Sequence, residues 1–198
     1  MKKLLILAVL LTLGVLIQAA DAVPIFKARI DISSKDVALK PVSGPEGGSL
    51  GNIFWGKEEL RKFSLTGETA QLPDDQWIKA TFTFIPESDG QVNIRLMSNS
   101  SRDKDKKNSN IHRVYYDMVT VEGGTLTNGD FEDANNGVPA GWNCKGMYIT
   151  TEMKAFSGNA MVKVWQNKPC HQTIDVKKDQ QVTVTVNVKQ GDFEPAKE

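Results

Sequence analysis

Apolar and polar residues alternate along most of the chain beyond its first 22 positions. The alternating segments are residues 81–85, 91–96, 160–164 and 181–189, and further strands are expected at 28–32, 114–121, 147–152 and 172–176. Successive side chains of a strand point to opposite faces, so this period of two predicts half-buried strands. Turn signals such as Asn128-Gly129 separate these segments, and only residues 57–62 resemble a helix. We therefore predict an all-β protein, a two-sheet antiparallel β-sandwich of the jelly-roll type.

The first 22 residues have a different pattern, which is typical of a secretory signal peptide. Lys2 and Lys3 precede an unbroken apolar stretch over residues 4–17, and residues 20–22 supply a small-x-small cleavage site. A membrane-spanning helix needs about 20 apolar residues, so this stretch is too short to be one. We predict cleavage after Ala22 and a secreted or periplasmic protein. Residues 23–198 are then expected to form a single domain.

Charge balance limits the classes of partner. The 198 residues include 24 basic and 24 acidic side chains. Removing residues 1–22 also removes Lys2, Lys3 and Asp21, which leaves 176 residues with a net charge of −1. This composition lacks the broad positive field that nucleic-acid binding requires. It is compatible with an uncharged ligand, and no nucleic-acid partner or membrane span is expected.

The chain has two cysteines, Cys144 and Cys170. In an oxidising compartment two cysteines more often pair than remain free, so we predict a disulfide between them. Such a bond closes a long loop and is expected to contribute roughly 3 kcal/mol to stability. A metal site is disfavoured because His171 is the only neighbouring candidate ligand.

Four short motifs occur in a characteristic order in the second half of the chain. They are residues 126–132 (LTNGDFE), 139–142 (PAGW), 157–160 (SGNA) and 172–176 (QTIDV). This order resembles the opening half of carbohydrate-binding modules of families 4 and 9. The resemblance, which extends over residues 125–190, implies a galactose-binding-like jelly roll that binds a polysaccharide or glycan.

The preceding segment, residues 77–122, resembles the closing half of the same module. Residues 77–84 (WIKATFTF), 89–96 (DGQVNIRL) and 115–121 (YYDMVTV) match its last strands. The closing half thus comes first. Two arrangements explain this order: a circularly permuted single domain, or two incomplete modules side by side. The length favours a single domain, because the first and last strands of such a sandwich usually lie close together.

The resemblance also implies a structural Ca²⁺ near the junction of the first and last strands. The carboxylates at matching positions are Asp117 and Glu132, and Asp130 is a further candidate. Calcium prefers such hard oxygen ligands. The alternative is that Asp130 stabilises a turn and Glu132 faces solvent.

Sugar binding uses aromatic faces for C–H patches and polar groups for hydroxyls. Alternation places some candidates away from the core at strand ends or on outer faces, and Trp55 lies in a loop-rich segment. The candidate ligand residues are Trp55, Trp165, Gln166, Lys163, Arg95 and Asn93. The other two tryptophans, Trp77 and Trp142, are expected in the core.

No catalytic motif is recognisable in the sequence. His112 and His171 occur in unrelated contexts, and the chain lacks G-x-S-x-G, H-E-x-x-H and P-loop motifs. A glycosidase needs only two suitably placed carboxylates, so the sequence does not exclude one. The leading hypothesis is a non-catalytic carbohydrate-binding module that acts alone or with a partner glycosidase. The alternatives are a small jelly-roll glycoside hydrolase or polysaccharide lyase, and an extracellular adhesion or structural module without sugar affinity.

Overall fold

The computed structural model describes residues 24–52, 64–102 and 107–197. The predicted signal peptide, the helix-like residues 57–62 and Trp55 lie outside the described residues. Within the described residues, no helix is long and apolar enough to cross a membrane.

Strands make up the regular structure of the described residues. In chain order they are β1 (Ala28–Ser33), β2 (Leu39–Ser43), β3 (Ser49–Asn52), β4 (Ser64–Glu68), β5 (Trp77–Pro86), β6 (Gly90–Ser98), β7 (Ser101–Arg102), β8 (Ser109–Glu122), β9 (Ala134–Asn135), β10 (Val138–Pro139), β11 (Asn143–Cys144), β12 (Met147–Ile149), β13 (Met161–Val164), β14 (Cys170–Val176) and β15 (Val182–Glu194).

The strands form two antiparallel sheets that pack face to face. The first sheet has the order β11-β14-β6-β1-β4-β3, and the second has the order β12-β13-β8-β15-β5-β2, with β7 paired to β8. A small separate ribbon is formed by β9 and β10. The predicted two-sheet antiparallel β-sandwich is confirmed.

Both halves of the chain contribute strands to both sheets. In the first sheet β14 pairs with β6, and in the second sheet β15 lies between β5 and β8. Strands from residues 77–122 therefore pair directly with strands from residues 125–190. One core cluster lies between the two sheets.

Alternation explains which side chains form this core. On β5 the rings of Phe82 and Phe84 point inward, and on β15 Val184 and its neighbours two residues away do the same. Gly67 on β4 makes room for Phe82, because a Cβ there would lie 2.1 Å from that ring. A fully buried aromatic or aliphatic side chain contributes roughly 1.5–3 kcal/mol.

Tyr116 of β8 links the two sheets through its hydroxyl. The buried side chain crosses the core and donates to the carbonyl oxygens of Met97, at 2.7 Å, and Arg29, at 3.2 Å. Both acceptors belong to the first sheet, on β6 and β1. Burial raises the pKa of Tyr116 above its usual range, so the hydroxyl remains a donor.

The outer face of the second sheet carries a smaller apolar cluster, formed by Tyr115, Ile149, Ala155 and Met161. Residues 150–160 include the loop that contributes Ala155 to this cluster. The predicted strand over residues 147–152 is therefore too long, because β12 ends at Ile149 and the chain then turns to form this loop.

Candidate functional site

Polar side chains form an ordered surface on the outer face of the first sheet. Inward positions of β1, β6 and β14 are buried and mostly apolar, with Gln172 on β14 as a polar exception, so the intervening residues point outward. The strand register places Arg95 on β6 between His171 on β14 and Asp31 on β1. Thr66 on β4 continues this row beside Asp31 and donates its hydroxyl to that carboxylate at 2.8 Å.

A cavity of about 510 Å³ opens over this face. We call it the sheet groove. It combines charged, hydroxyl and amide groups with one apolar side chain, and its lining residues are Arg29, Asp31, Ser33, Ser64, Arg95, Met97, Ser100, Arg102, Ser109, Gln166 and Asn167. Its volume falls within the range of roughly 300–1,000 Å³ found for ligand sites.

Gln166 reaches the sheet groove from the turn between β13 and β14. The turn is closed by the hydrogen bond from Lys168 N to Trp165 O, at 3.0 Å. The Gln166 side chain donates from Nε2 to the carbonyl oxygen of Asn110 at 2.8 Å. Its Oε1 is buried and has no hydrogen-bond partner in the described part of the chain. A buried acceptor without a hydrogen bond lowers the stability of the fold unless a ligand or water donates to it.

A second cavity of about 530 Å³ adjoins the sheet groove and shares Arg29, Ser100 and Arg102 with it. We call it the side cavity. It is more apolar at its outer end, where Ile25 and Phe193 are partly exposed. The two cavities together form an elongated depression rather than an isolated pocket.

The side cavity contains a hydrogen bond between a serine and a histidine. Ser101 Oγ and His112 Nε2 are 2.6 Å apart, and Asn110 Nδ2 donates to the same serine oxygen at 3.0 Å. The His112 ring is only 2% exposed and packs edge-on against Phe26 and Phe193. Its Nδ1 has no partner among the described residues, so the pair lacks the group that would orient a catalytic base. Burial lowers the pKa of His112, which keeps the ring neutral at pH 7.

Asn93 lies beside the sheet groove but is already satisfied by its neighbours. It donates from Nδ2 to His171 Nδ1 at 2.9 Å and to Thr173 Oγ1 at 3.3 Å. Partial burial lowers the pKa of His171, and the positive charges of Arg95 and Lys145 lower it further. The imidazole is therefore neutral at pH 7 and accepts from Asn93 through Nδ1.

Lys163 lies on the opposite side of the sandwich from Asn93 and Arg95. It points away from the core, as alternation predicts, but it is only 5% exposed because the loop beyond β12 covers it. Its Nζ lies 2.7 Å from both Glu152 Oε1 and Asp192 Oδ2. Burial alone would lower the pKa of Lys163, but hydrogen bonds to these carboxylates outweigh burial and raise it.

Trp165 also belongs to the side of the second sheet. Its ring is partly buried, and the Arg113 guanidinium lies 4.9 Å from the ring centroid. Arg113 is held in turn by ion pairs to Asp192 and Glu194. The predicted ligand residues therefore do not form a single cluster: Arg95 and Gln166 share the sheet groove, Asn93 lies beside it, and Lys163 and Trp165 lie elsewhere.

Asp117 and Glu132, two of the predicted calcium ligands, both hold the loop over residues 156–160. Asp117 is fully buried, and its Oδ2 accepts from Ser157 N at 2.9 Å. Glu132 Oε1 accepts from the backbone of Asn159 and Ala160, each at 2.8 Å. A Cβ on Gly158 would lie 2.3 Å from that carboxylate, so the loop fits closely around it.

The Asp117 and Glu132 carboxylates bring two acidic groups together at this loop. Burial raises the pKa of Asp117, and the negative charge of Glu132 raises it further, against backbone hydrogen bonds that lower it. Asp130 is exposed and forms no hydrogen bond within the described residues. No group of three or more His, Cys, Asp or Glu side chains suited to a metal occurs among the described residues. Any cation here would rely on the two carboxylates with backbone oxygens or water.

The NGDFE and PAGW motifs hold the chain in place rather than line the sheet groove. The side-chain amide of Asn128 donates to the backbone carbonyl oxygens of Asp133 and Ala140. The backbone carbonyl oxygen of Asn128 accepts from Trp142 Nε1 at 2.9 Å. Phe131 and Trp142 pack together in the core with ring centroids 5.0 Å apart. The prediction that Trp142 is a core residue is confirmed. Trp77 is partly buried at the edge of the smaller apolar cluster, beside Phe156.

The sequence did not predict several residues that line the two cavities. Arg29, Arg102 and Phe193 come from three different strands, and nothing in their local sequence marks them as neighbours. A register shift of β15 between Gln190 and Phe193 breaks the alternation that would have shown the direction of Phe193. No match to this chain is found among protein-family models, curated proteins or solved structures.

Proposed function

We propose that the protein is a non-catalytic carbohydrate-binding module whose ligand lies in the sheet groove. The observation that carries this proposal is the open, polar cavity of about 510 Å³ on an exposed sheet face. Two of its polar side chains, Arg95 and Gln166, carry buried atoms without a partner among the described residues. A ligand rich in hydroxyl groups satisfies such donors and acceptors.

The chemistry of the sheet groove suits a sugar ring. Sugar hydroxyls both donate and accept, and the groove offers hydroxyls from Ser33 and Ser64 and amides from Gln166 and Asn167. The Met97 side chain supplies apolar surface for ring C–H groups. This mode depends on polar contacts more than the aromatic stacking expected from the sequence. The predicted role of Trp55 stays a prediction.

The elongated shape favours a polysaccharide chain over a single sugar. The side cavity continues the depression past Arg29 and Ser100, and the partly exposed Phe193 provides an aromatic face there. We also propose that the protein is exported, on the strength of its signal-peptide pattern, and that it delivers a partner glycosidase to its substrate. The Cys144–Cys170 disulfide is compatible with an extracellular location.

Substitution Gln166→Ala tests the sheet groove as the binding site. We expect affinity for a bound polysaccharide to fall about tenfold, because a lost hydrogen-bonding group in a site of this kind removes roughly 1.4 kcal/mol. Gln180→Ala is the matched control, since Gln180 is exposed in the turn beyond β14, at the far end from Gln166. Affinity electrophoresis in gels containing a panel of polysaccharides measures both variants.

Absence of binding to every polysaccharide in that panel would overturn the proposed function. Equal affinity of the Gln166→Ala and Gln180→Ala variants would instead show that the ligand binds outside the sheet groove. New reducing ends after incubation with a bound polysaccharide would show a hydrolase, and unsaturated uronate absorbance would show a lyase.

We further propose that Asp117 and Glu132 hold a structural Ca²⁺ at the loop over residues 156–160. Its charge would offset the paired negative charges there and tie β8 to that loop. At about ten times its dissociation constant, Ca²⁺ is expected to stabilise the fold by about 1.4 kcal/mol. This corresponds to a rise of roughly 3–6 °C in the thermal midpoint.

Thermal unfolding in calcium and in EDTA checks this expectation. Glu132→Gln removes one charge and is expected to abolish the calcium-dependent shift. Glu87→Gln, at an exposed turn position, is the matched control and is expected to retain it. An equal shift in wild type and Glu132→Gln would place the ion elsewhere or show that none binds here.

A further inference from the structure

Arg95 is a cation without a counter-ion among the described residues. It lies on β6, is partly buried, and lines the sheet groove. Its Nε is buried and has no hydrogen-bond partner in the described part of the chain. No carboxylate of the described residues forms an ion pair with its guanidinium.

The nearest carboxylate in the strand register is already engaged. Asp31 lies directly beside Arg95 on β1, but its Oδ1 accepts from Arg29 Nε at 2.9 Å and from Thr66 at 2.8 Å. Its Oδ2 lies 3.4 Å from Arg29 Nη2. On the other side of Arg95, the neutral ring of His171 offers no negative charge.

An unpaired charge in a partly buried position costs free energy that a folded protein normally offsets with a partner. Two other cations with little exposure illustrate this rule. Lys163 has two carboxylate partners, and Arg113 has two. Arg95 lacks such a carboxylate partner among the described residues. It lines an open cavity, where a ligand has access.

The described side chains that line the sheet groove also carry a net positive charge. Among the described residues, three arginines line it, Arg29, Arg95 and Arg102, and Asp31 supplies the one carboxylate. This local excess of positive charge occurs in a chain with equal numbers of basic and acidic residues. Cavities lined by one sign of charge focus the field and concentrate ligands of the opposite charge.

We propose that the sheet groove selects an anionic glycan and that Arg95 binds its negative group. This inference rests on the proposed function and names its ligand class. A planar guanidinium matches the geometry of a carboxylate or a sulfate, as in a uronic acid or a sulfated sugar. Gln166 and the groove serines then bind the neighbouring hydroxyls.

Two matched pairs of polysaccharides test the anion directly. Polygalacturonate and its fully methyl-esterified form share one backbone and differ in free carboxylates, and sulfated and desulfated carrageenan differ in sulfate. We expect the charged member of at least one pair to bind about tenfold more tightly, the effect of one charge-assisted contact. The pair that shows the difference identifies the anion.

Variants assign the effect to Arg95. We expect Arg95→Gln to reduce the selectivity ratio from about tenfold towards one, and Arg95→Lys to restore it in part. Lys79→Gln removes the same charge from an exposed position on β5 of the second sheet and is the matched control. Removing an unpaired charge does not weaken the fold, so we expect the thermal midpoint of Arg95→Gln to equal or exceed that of wild type.

The outcomes separate this inference from the proposed function. Binding of the neutral members with no preference for the charged ones would overturn the inference and leave the proposed function standing. Equal losses of selectivity in Arg95→Gln and Lys79→Gln would also overturn it, because the effect would then be non-specific attraction. Failure of all four members to bind, with binding of another polysaccharide in the panel, would overturn the inference alone, and failure of the whole panel would overturn the proposed function itself.

Discussion

Reduction of the Cys144–Cys170 disulfide is expected to lower the free energy of unfolding by about 3 kcal/mol. The bond joins residues 26 positions apart, so its loss releases a long loop in the unfolded chain. In the folded protein it fastens β11, which has only two residue pairs with β14, Asn143 with His171 and Cys144 with Cys170. Strand pairing this short is weak, and the covalent bond holds β11 at the edge of the first sheet.

Thermal unfolding with and without a reductant measures this effect. For a domain of this size, 3 kcal/mol corresponds to a fall of roughly 6–12 °C in the thermal midpoint. Alanine is the suitable replacement because Cys170 is fully buried in the core. The Cys144→Ala/Cys170→Ala double variant is expected to have a thermal midpoint close to that of the reduced wild type. Adding a reductant is expected to leave that midpoint unchanged. A reductant effect that persists in the double variant would contradict this account.

Asn128→Ala is expected to destabilise the fold by about 3 kcal/mol, because three side-chain hydrogen bonds disappear together. Asn128 donates to the carbonyl oxygens of Asp133 and Ala140, at 2.7 and 3.0 Å, and accepts from Asp133 N at 3.0 Å. Its φ of +49° lies in the left-handed region, which asparagine tolerates better than alanine. The loop that positions Trp142 against Phe131 depends on this one side chain.

Asn136→Ala provides a matched control for the backbone effect. Asn136 also has a positive φ, +51°, but it is exposed and no side-chain hydrogen bond is observed for it within the described residues. Its replacement is expected to cost only about 1 kcal/mol, the strain of the left-handed conformation. Urea denaturation of both variants gives the comparison. Equal destabilisation would show that the Asn128 hydrogen bonds contribute nothing beyond the backbone.

Most internal strands with one buried face were predicted from the sequence, although β4 was not, and the edge strands β2 and β3 were missed. Residues 91–96 of β6 and 182–186 of β15 alternate because one face packs on the core and the other does not. β2 and β3 lie at the edges of the two sheets, and most of their side chains are exposed, so their sequences lack the alternation that marks a strand. Hydrophobic patterning reports burial, and edge strands bury little.

The candidate site was predictable only in part for a related reason. Alternation correctly directed both Arg95 and Lys163 away from the core, but it does not tell which sheet a strand joins. It also does not reveal that the loop beyond β12 covers Lys163. Whether an outward side chain reaches solvent depends on chain segments that are distant in sequence.

Overall neutrality does not describe the local charge of the sheet groove. The equal numbers of basic and acidic side chains favoured an uncharged sugar, whereas the sheet groove has an excess of arginine. Net charge governs long-range steering, but recognition depends on the few charges within a few ångströms of the ligand. Asp31 illustrates the difference, because it pairs with Arg29 and leaves Arg95 without an ion pair among the described residues.

The position of β15 at the centre of the second sheet constrains how the protein folds during synthesis. β5 and β8 both leave the ribosome before β15, yet β15 pairs with both and separates them. Until it is made, two long strand edges and the apolar faces of their strands lack their partner. Such edges are templates for aggregation, and pairings this distant in sequence form slowly. The nascent chain is thus expected to need chaperone protection until residues 182–194 have emerged.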